Sequence, residues 1–405
     1  MTSRRYIVIA VCTVAAIGLS HYASQFAIDF EVYRQATWVA LFNEGPLYGP
    51  GGGVGWPMHY RYPPVFTFFL FPFALLPAQV GAFVWTLLKC AVLVALAKAL
   101  TERLRQELGQ PHWLVALCLA GPYVVMEFRY GNAQFFVFAL TAWALLEVSR
   151  KPRLAAILLG LVTAFKIWPL YFVPLLVVRG KRLVAAGALL TTAALMLLPA
   201  FYFGWTQNLN HLNDWYEQES SIVETAGEIW FPSQSLLGVM TRHLTEIDYS
   251  NQPDPNYPAV NSLSLDPDSV YGLWLVLTGS CYDALLWLAK TTPASRSLTM
   301  LAVAWCALPL LQPYSHKTIA LVVLVWPALV ASASVRFPCL VWQRTVILAT
   351  AVISFAQVFT PSPYSHRLVQ VLGLDALIGV LLLTGLDGIL LRAGETPQER
   401  VSAGG

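Results

Sequence analysis

The chain has 405 residues, 57% of them hydrophobic and only 12% charged, with a formal net charge of +3. A soluble domain carries roughly twice that charged fraction, so a soluble globule is excluded and an all-α polytopic integral membrane protein is indicated. The small net charge gives no reason to invoke nucleic acid. A spanning helix needs about 20 apolar residues. Candidate segments, in chain order, are 6–25, 63–77, 79–98, 113–127, 133–148, 154–178, 183–203, 270–289, 297–312, 317–335, 343–360 and 367–391. They amount to eleven to thirteen crossings, depending on whether 63–77 is re-entrant and whether 154–178 is one helix or two short ones.

The first segment follows Arg4 and Arg5 like a signal peptide, but no small-x-small cleavage site ends it, so it reads as a retained first helix. Cationic short loops mark the cytoplasmic side. By that rule the N-terminus and the turns holding Arg150, Lys151, Arg153, Arg179, Lys181 and Arg182 are cytoplasmic, as is a flexible tail at 393–405. Lys98, Arg103 and Arg105 suggest another cytoplasmic loop. The acidic loop from 203 to 270 belongs outside, with the loop at 29–62 and the turn at 313–316. Together these describe one transmembrane domain over 1–405, in a cytoplasmic (inner) membrane, with structured loops on its extracytoplasmic face. The six cysteines form no CxxC pair and read as apolar packing residues.

Charge inside or beside a bilayer is costly and invites a functional reading. Asp29 and Glu31 open the segment FEVYRQATWVALFN, whose Phe30, Arg34, Trp38 and Leu41 recur at helical spacing. That suits a short helix lying along the interface. Asp29 reads either as the N-cap of that helix or as a general base held at the membrane surface. Glu31 is a solvated neighbour or an acceptor contact. In HYRYPPV, Tyr60 and Tyr62 suit an interfacial aromatic belt, and Arg61 is either a snorkelling cation or a phosphate ligand.

FRYGNAQ places Arg129, Asn132 and Gln134 between two apolar helices; a turn accounts for Gly131 and Asn132 but not for Gln134. Lys166, followed by Pro169, stands alone among apolar residues. A hairpin of two short helices with Lys166 near its apex would bring it to the outer face as a phosphate ligand; the alternative is a snorkelling lysine. Residues 231–244 look amphipathic and contain Gln234. His316 and Lys317, after Tyr314, stand at the outer start of a helix, and His366 is a second histidine on that face. No Walker or dinucleotide motif, no GxSxG elbow and no metal-ligand spacing is present, so neither a cofactor nor a metal is expected.

Taken in order, IDFEVYRQATWVALFNEGPLY, YRYPPVFTFFLFPFALLP, YGNAQFFVFALTAWAL, AAILLGLVTAFKIWPLYFVPLLVVRGKR, PSQSLLGVMTRHL and QPYSHKTIALVVLVWP resemble glycosyltransferase family 87 over most of residues 28–335. These are polyprenol-phosphate-mannose-dependent α-mannosyltransferases and relatives, with the C-type membrane glycosyltransferase fold. The resemblance implies an extracytoplasmic site fed by a lipid-phosphate sugar, with Asp29 as the catalytic base and His316 matching a family histidine. Where relatives often carry a second histidine this chain has Lys317, and a frequent asparagine of the NQSL motif is Ser233 here.

The donor phosphate is expected at Lys166, Arg61, Lys317 or Arg129, and the substrate pocket at Glu31, Tyr33, Tyr62, Asn132, Gln134, Gln234 and Tyr314. The partners implied are a polyprenyl-phosphate sugar, a glycolipid or glycan acceptor and the bilayer; the sugar lipid is a co-substrate. The rival readings are a transporter or flippase of lipid-linked sugar and a non-catalytic lipid-binding membrane protein. No duplicated halves of the transporter type are visible.

Overall fold

The computed structural model describes residues 2–42, 45–49, 52–53, 58–229, 233–248, 256–315, 321–335, 341–359 and 362–391. Its regular structure is helical, with no β-strand among the described residues. Two compact units divide the chain: residues 1–97 with 124–224, and residues 98–123 with 225–405.

The first unit begins with α1 (Thr2–Ser24) and α2 (Ile28–Phe42), between which the chain bends by 66°. α2 has 15 residues, about 22 Å, too short to cross a hydrocarbon core of about 30 Å by itself. α3 (Val65–Ala74) follows the double proline that fixes its entry, and Trp38 of α2 donates its indole N–H to the Ala74 carbonyl at its far end. α4 (Ala78–Glu107) and α5 (Trp113–Tyr130) run through both units. α6 (Gln134–Glu147), α7 (Pro152–Phe165), α8 (Phe172–Val178), α9 (Arg182–Leu197), α10 (Ala200–Phe203) and α11 (Trp205–Ile229) complete this unit. Lys98, Arg103 and Arg105, read from the sequence as a loop, are instead the last turns of α4, because its 30 residues reach about 45 Å and carry the charges past the apolar stretch.

The segment 154–178 is two helices. α7 stops where Lys166 adopts an extended conformation (φ −152°, ψ 135°), and a 3-10 turn at Trp168–Tyr171, containing Pro169, leads into α8. Proline has no N–H for the ladder and clashes with the preceding turn. Among the described residues of the acidic stretch after 203, α11 and α12 (Leu236–Leu244) are helical.

The second unit holds α12, α13 (Pro267–Thr291), α14 (Ser297–Leu311), α15 (Val325–Ser334), α16 (Val341–Ala356), α17 (Pro363–Val371) and α18 (Leu374–Leu391). Side chains of Ser235, Asp266 and Ser362 cap α12, α13 and α17 by accepting from the backbone N–H three residues on. α14 and α15 form its interior, where Trp305 and Trp326 are fully buried and the Trp326 indole donates to the Leu298 carbonyl. α13 instead exposes Leu273, Leu275, Val276 and Trp287, as a helix does when lipid is its solvent.

Five helices among the described residues are long and apolar enough to cross a membrane, or up to seven if each bent pair is one span, with five shorter apolar helices beside them. The protein is therefore an all-α polytopic membrane protein. The eleven to thirteen apolar segments resolve into long spans interleaved with short and broken helices, because proline and polar residues interrupt the ladders.

Candidate active site

Several of the polar residues singled out in the first unit converge on one turn. α5 and α6 are joined through Gly131, Asn132 and Ala133, with Gly131 at φ +70°. Only glycine takes this left-handed conformation freely. A Cβ there would also lie 2.9 Å from the Cβ atoms of Ala27 and Phe30. The missing side chain thus lets the start of α2 close onto the turn.

That approach brings Asp29 to Asn132. Asp29 is the second residue of α2 and is 2% exposed. Its Oδ2 accepts from Asn132 Nδ2 at 2.8 Å. The carboxylate is thus held from outside its own helix and not by amides of its own first turn, as an N-cap would be. Asn132 Oδ1 accepts from the Gln134 N–H at 2.8 Å and from the Tyr62 hydroxyl at 3.4 Å. Tyr33, one turn after Asp29, accepts from the Ala133 N–H at 3.4 Å and meets the Tyr62 ring edge-on at 5.1 Å. Lys166 Nζ lies 5.2 Å from the centre of that ring. Asp29, Asn132, Tyr62 and Lys166 therefore form one contiguous polar row. Gln134 is 4% exposed and its side-chain oxygen has no hydrogen-bond partner.

The electrostatics follow from enclosure. Burial pushes Asp29 up to about 6, against the opposing pull of the Asn132 hydrogen bond and the charges of Lys89 and Lys166. Enclosure also lowers Lys166 to about 8; the like charge of Arg61 works in the same direction, while Glu219 and Asp29 oppose it. Near neutral pH this leaves an ionised carboxylate and a cationic lysine, linked through Asn132 and Tyr62. The pair has the form of a proton acceptor and an anion-binding group.

The other first-unit candidates are engaged differently. Arg61 grips Glu219 of α11 through two hydrogen bonds of 3.1 Å. Gln218 of α11 braces the same loop, donating to the Tyr60 carbonyl and accepting from the Gly49 N–H. Arg129 lies over the Phe26 ring at 4.9 Å. Glu31 pairs with Arg34 and Gln35 of its own helix, at 2.7 Å in each case.

In the second unit Gln234 is fully buried and donates to the Gln370 carbonyl, while Tyr314 is partly exposed. The Gln234 N–H donates to the Ser315 carbonyl at 2.7 Å, and Ser235 Oγ donates to the Pro313 carbonyl at 3.0 Å. The SQS and PYS segments are thus clasped to each other. His366 sits in the capped first turn of α17. His316 and Lys317 lie outside the described residues.

Two charged groups beside the turn escaped the sequence reading: Lys89 of α4 and Glu127 of α5, paired at 2.9 Å and both inaccessible to solvent. A signal existed, since each is a charge within a candidate span, but their pairing across 38 positions is not written in either segment. Glu219 is one of the many acids of the stretch from 203 to 270, and nothing local in the sequence singles it out.

Comparison with known families matches residues 60–313 to Glycosyltransferase family 87. Asp29, His316 and Lys317 lie outside that range, whereas the turn carrying Asn132 and the break at Lys166 lie within it. No curated protein matches the chain. With well over half of the sequence matched, on an all-α membrane fold, the chain belongs to glycosyltransferase family 87 and is a membrane glycosyltransferase.

Proposed function

We propose that the protein transfers a hexose, specifically mannose, from a polyprenyl-phosphate donor to a hydroxyl acceptor on a glycolipid or glycan. The reaction takes place at the extracytoplasmic face and inverts the anomeric centre. The observation that carries this reading is the buried Asp29 carboxylate, oriented by Asn132, which also bonds Tyr62, the ring against which the Lys166 ammonium lies.

In this mechanism Asp29 takes the acceptor hydroxyl proton as the acceptor oxygen bonds to the sugar C1. The bond from C1 to the phosphate oxygen breaks, and the lipid phosphate leaves with the bonding pair. General-base assistance of this kind is worth about 10²–10⁴-fold. The departing phosphate gains negative charge, which a fixed cation stabilises most effectively where water is scarce; Lys166 has that role. The unpartnered oxygen of Gln134 suits a sugar or acceptor hydroxyl, since a buried acceptor left unmade is costly. A β-linked donor then gives an α-linked product. The lipid tail occupies a groove between helices.

The test is to incubate the purified protein with synthetic polyprenyl-phosphate mannose and a lipid extract of the producing cells, and to measure released polyprenyl phosphate. Asp29→Asn should abolish release while donor binding persists; Lys166→Met should weaken donor binding. Normal turnover in the first variant ends the base assignment, and unchanged donor affinity in the second ends the phosphate role. A flippase would move the donor intact, with no release at all.

A further inference from the structure

The reading above leaves two buried charges unused. Lys89 and Glu127 are fully buried and joined at 2.9 Å. A buried ion pair is a poor source of stability, because desolvation offsets most of its attraction and apolar replacement is often neutral or better. Its bonds point to another role. The second Glu127 carboxylate oxygen accepts from the Phe135 N–H, in the first turn of α6, at 2.8 Å. The Glu127 carbonyl accepts from the Asn132 N–H at 3.4 Å. Trp85, one helical turn before Lys89, donates its indole N–H to the Gly131 carbonyl at 2.9 Å. The turn that presents Asn132 to Asp29 is thus pinned from α4 and α5 together, and Asn132 and Glu127 share the free N–H groups at the start of α6.

We infer that Lys89 and Glu127 are positioning residues for the base: Glu127 sets the turn that aims Asn132 at Asp29, and Lys89 locks Glu127 in place while holding a positive charge behind the carboxylate. The inference rests on Asp29 being the base. The groups that bear electrostatically on Asp29 are Lys89 on α4, Glu127 on α5, Lys166 after α7, Tyr62 before α3 and Tyr33 on its own helix. Lys89 and Lys166 are the cations that favour its ionised form.

The experiment compares wild type, Asp29→Asn, Lys89→Met and the double variant Lys89→Met/Glu127→Gln, purified in lipid nanodiscs. It uses synthetic polyprenyl-phosphate mannose with the same lipid extract and reads kcat, donor KM and the pH–rate profile. Glutamine keeps an oxygen for the Phe135 N–H, and the double variant leaves no unpaired buried charge, so it is the variant suited to fold. Expected are a kcat at least about tenfold lower with donor KM nearly unchanged, since misalignment of a base acts on the chemical step. In Lys89→Met the acid limb of the profile should also move up by about half a pH unit or more, because a cation favouring the carboxylate is gone; the double variant removes the Glu127 charge as well and is read on kcat.

A merely structural pair would not move that limb. A double variant with wild-type kcat overturns the inference, as does a Lys89→Met variant with an unmoved limb or a double variant that loses its fold. Turnover in Asp29→Asn instead overturns the base assignment itself. An inactive Asp29→Asn beside an unaffected double variant overturns the positioning role alone.

Discussion

Replacing Gly131 by alanine should weaken both the fold and the reaction, through two effects that can be separated. The first is backbone strain: at φ +70° an alanine pays about 1–2 kcal/mol for the left-handed conformation. The second is contact. The new Cβ would sit 2.9 Å from the Cβ atoms of both Ala27 and Phe30, whereas carbons rest about 3.5–4.0 Å apart. Overpacking of this kind costs about 1–3 kcal/mol, for a total of about 2–5 kcal/mol. To relieve it, the first turn of α2 must withdraw by about 0.6 Å or more. Asp29 lies between Ala27 and Phe30 on that turn, so the withdrawal stretches the 2.8 Å bond from Asn132.

A misplacement approaching 1 Å at a reacting group costs about 10²-fold in rate. Gly180 is the control. Its φ is +73° and nothing lies within 4 Å of an added Cβ, so Gly180→Ala carries the strain without the contact. Thermal unfolding of detergent-purified protein and release of polyprenyl phosphate would be measured on both variants. Gly180→Ala should lose about 1–2 kcal/mol and keep its turnover, whereas Gly131→Ala should lose more stability and most of its turnover. Equal turnover in the two variants would refute the claim that this glycine sets the position of Asp29.

Three other outcomes are expected. Turnover should follow a bell in pH. It should rise as Asp29 loses its proton near 6 and fall as Lys166 loses its own near 8. Lys166→Met should remove the alkaline limb, and an unaltered limb in that variant would exclude Lys166 as its source. Glu219→Gln removes the charge from a pair with Arg61 that is partly exposed on both sides, so stability should change by less than about 1 kcal/mol. Donor KM should fall, by up to roughly fivefold; a raised KM would mean that the pair shapes the site instead of masking it. Arg242 is 2% exposed and donates to the carbonyls of Ser233, Val371 and Gln370. Arg242→Met should therefore destabilise the second unit by about 2–5 kcal/mol, read as a lowered melting temperature; an unshifted melt would show that solvent or other donors satisfy those carbonyls.

Much of the molecule is legible along the chain. An apolar content of 57% with 12% charge excludes a soluble fold, because solubility requires polar surface that this composition cannot supply. The ordered motifs point to the family, and the match over 60–313 agrees with them. Local chemistry also marks the break at Lys166, since Pro169 cannot continue a helical ladder. The turn in FRYGNAQ is legible in the same way, because Gly and Asn tolerate the conformation it needs.

What residues do to one another across the fold is not local. Asp29 and Asn132 meet across 103 positions, Arg61 and Glu219 across 158, and Lys89 and Glu127 across 38. Each pair depends on which helix faces pack together. An isolated carboxylate in the sequence looks the same whether it caps its own helix, pairs with a buried lysine or waits for a substrate. Composition and hydropathy determined the membrane class and the shortlist of polar residues, and the ordered motifs pointed to the family. Only tertiary packing decided that Asp29 is held by Asn132, that Arg61 is engaged by Glu219 and that Lys89 and Glu127 stand behind the turn, because hydrogen bonds and desolvation depend on three-dimensional neighbours that sequence separation does not encode.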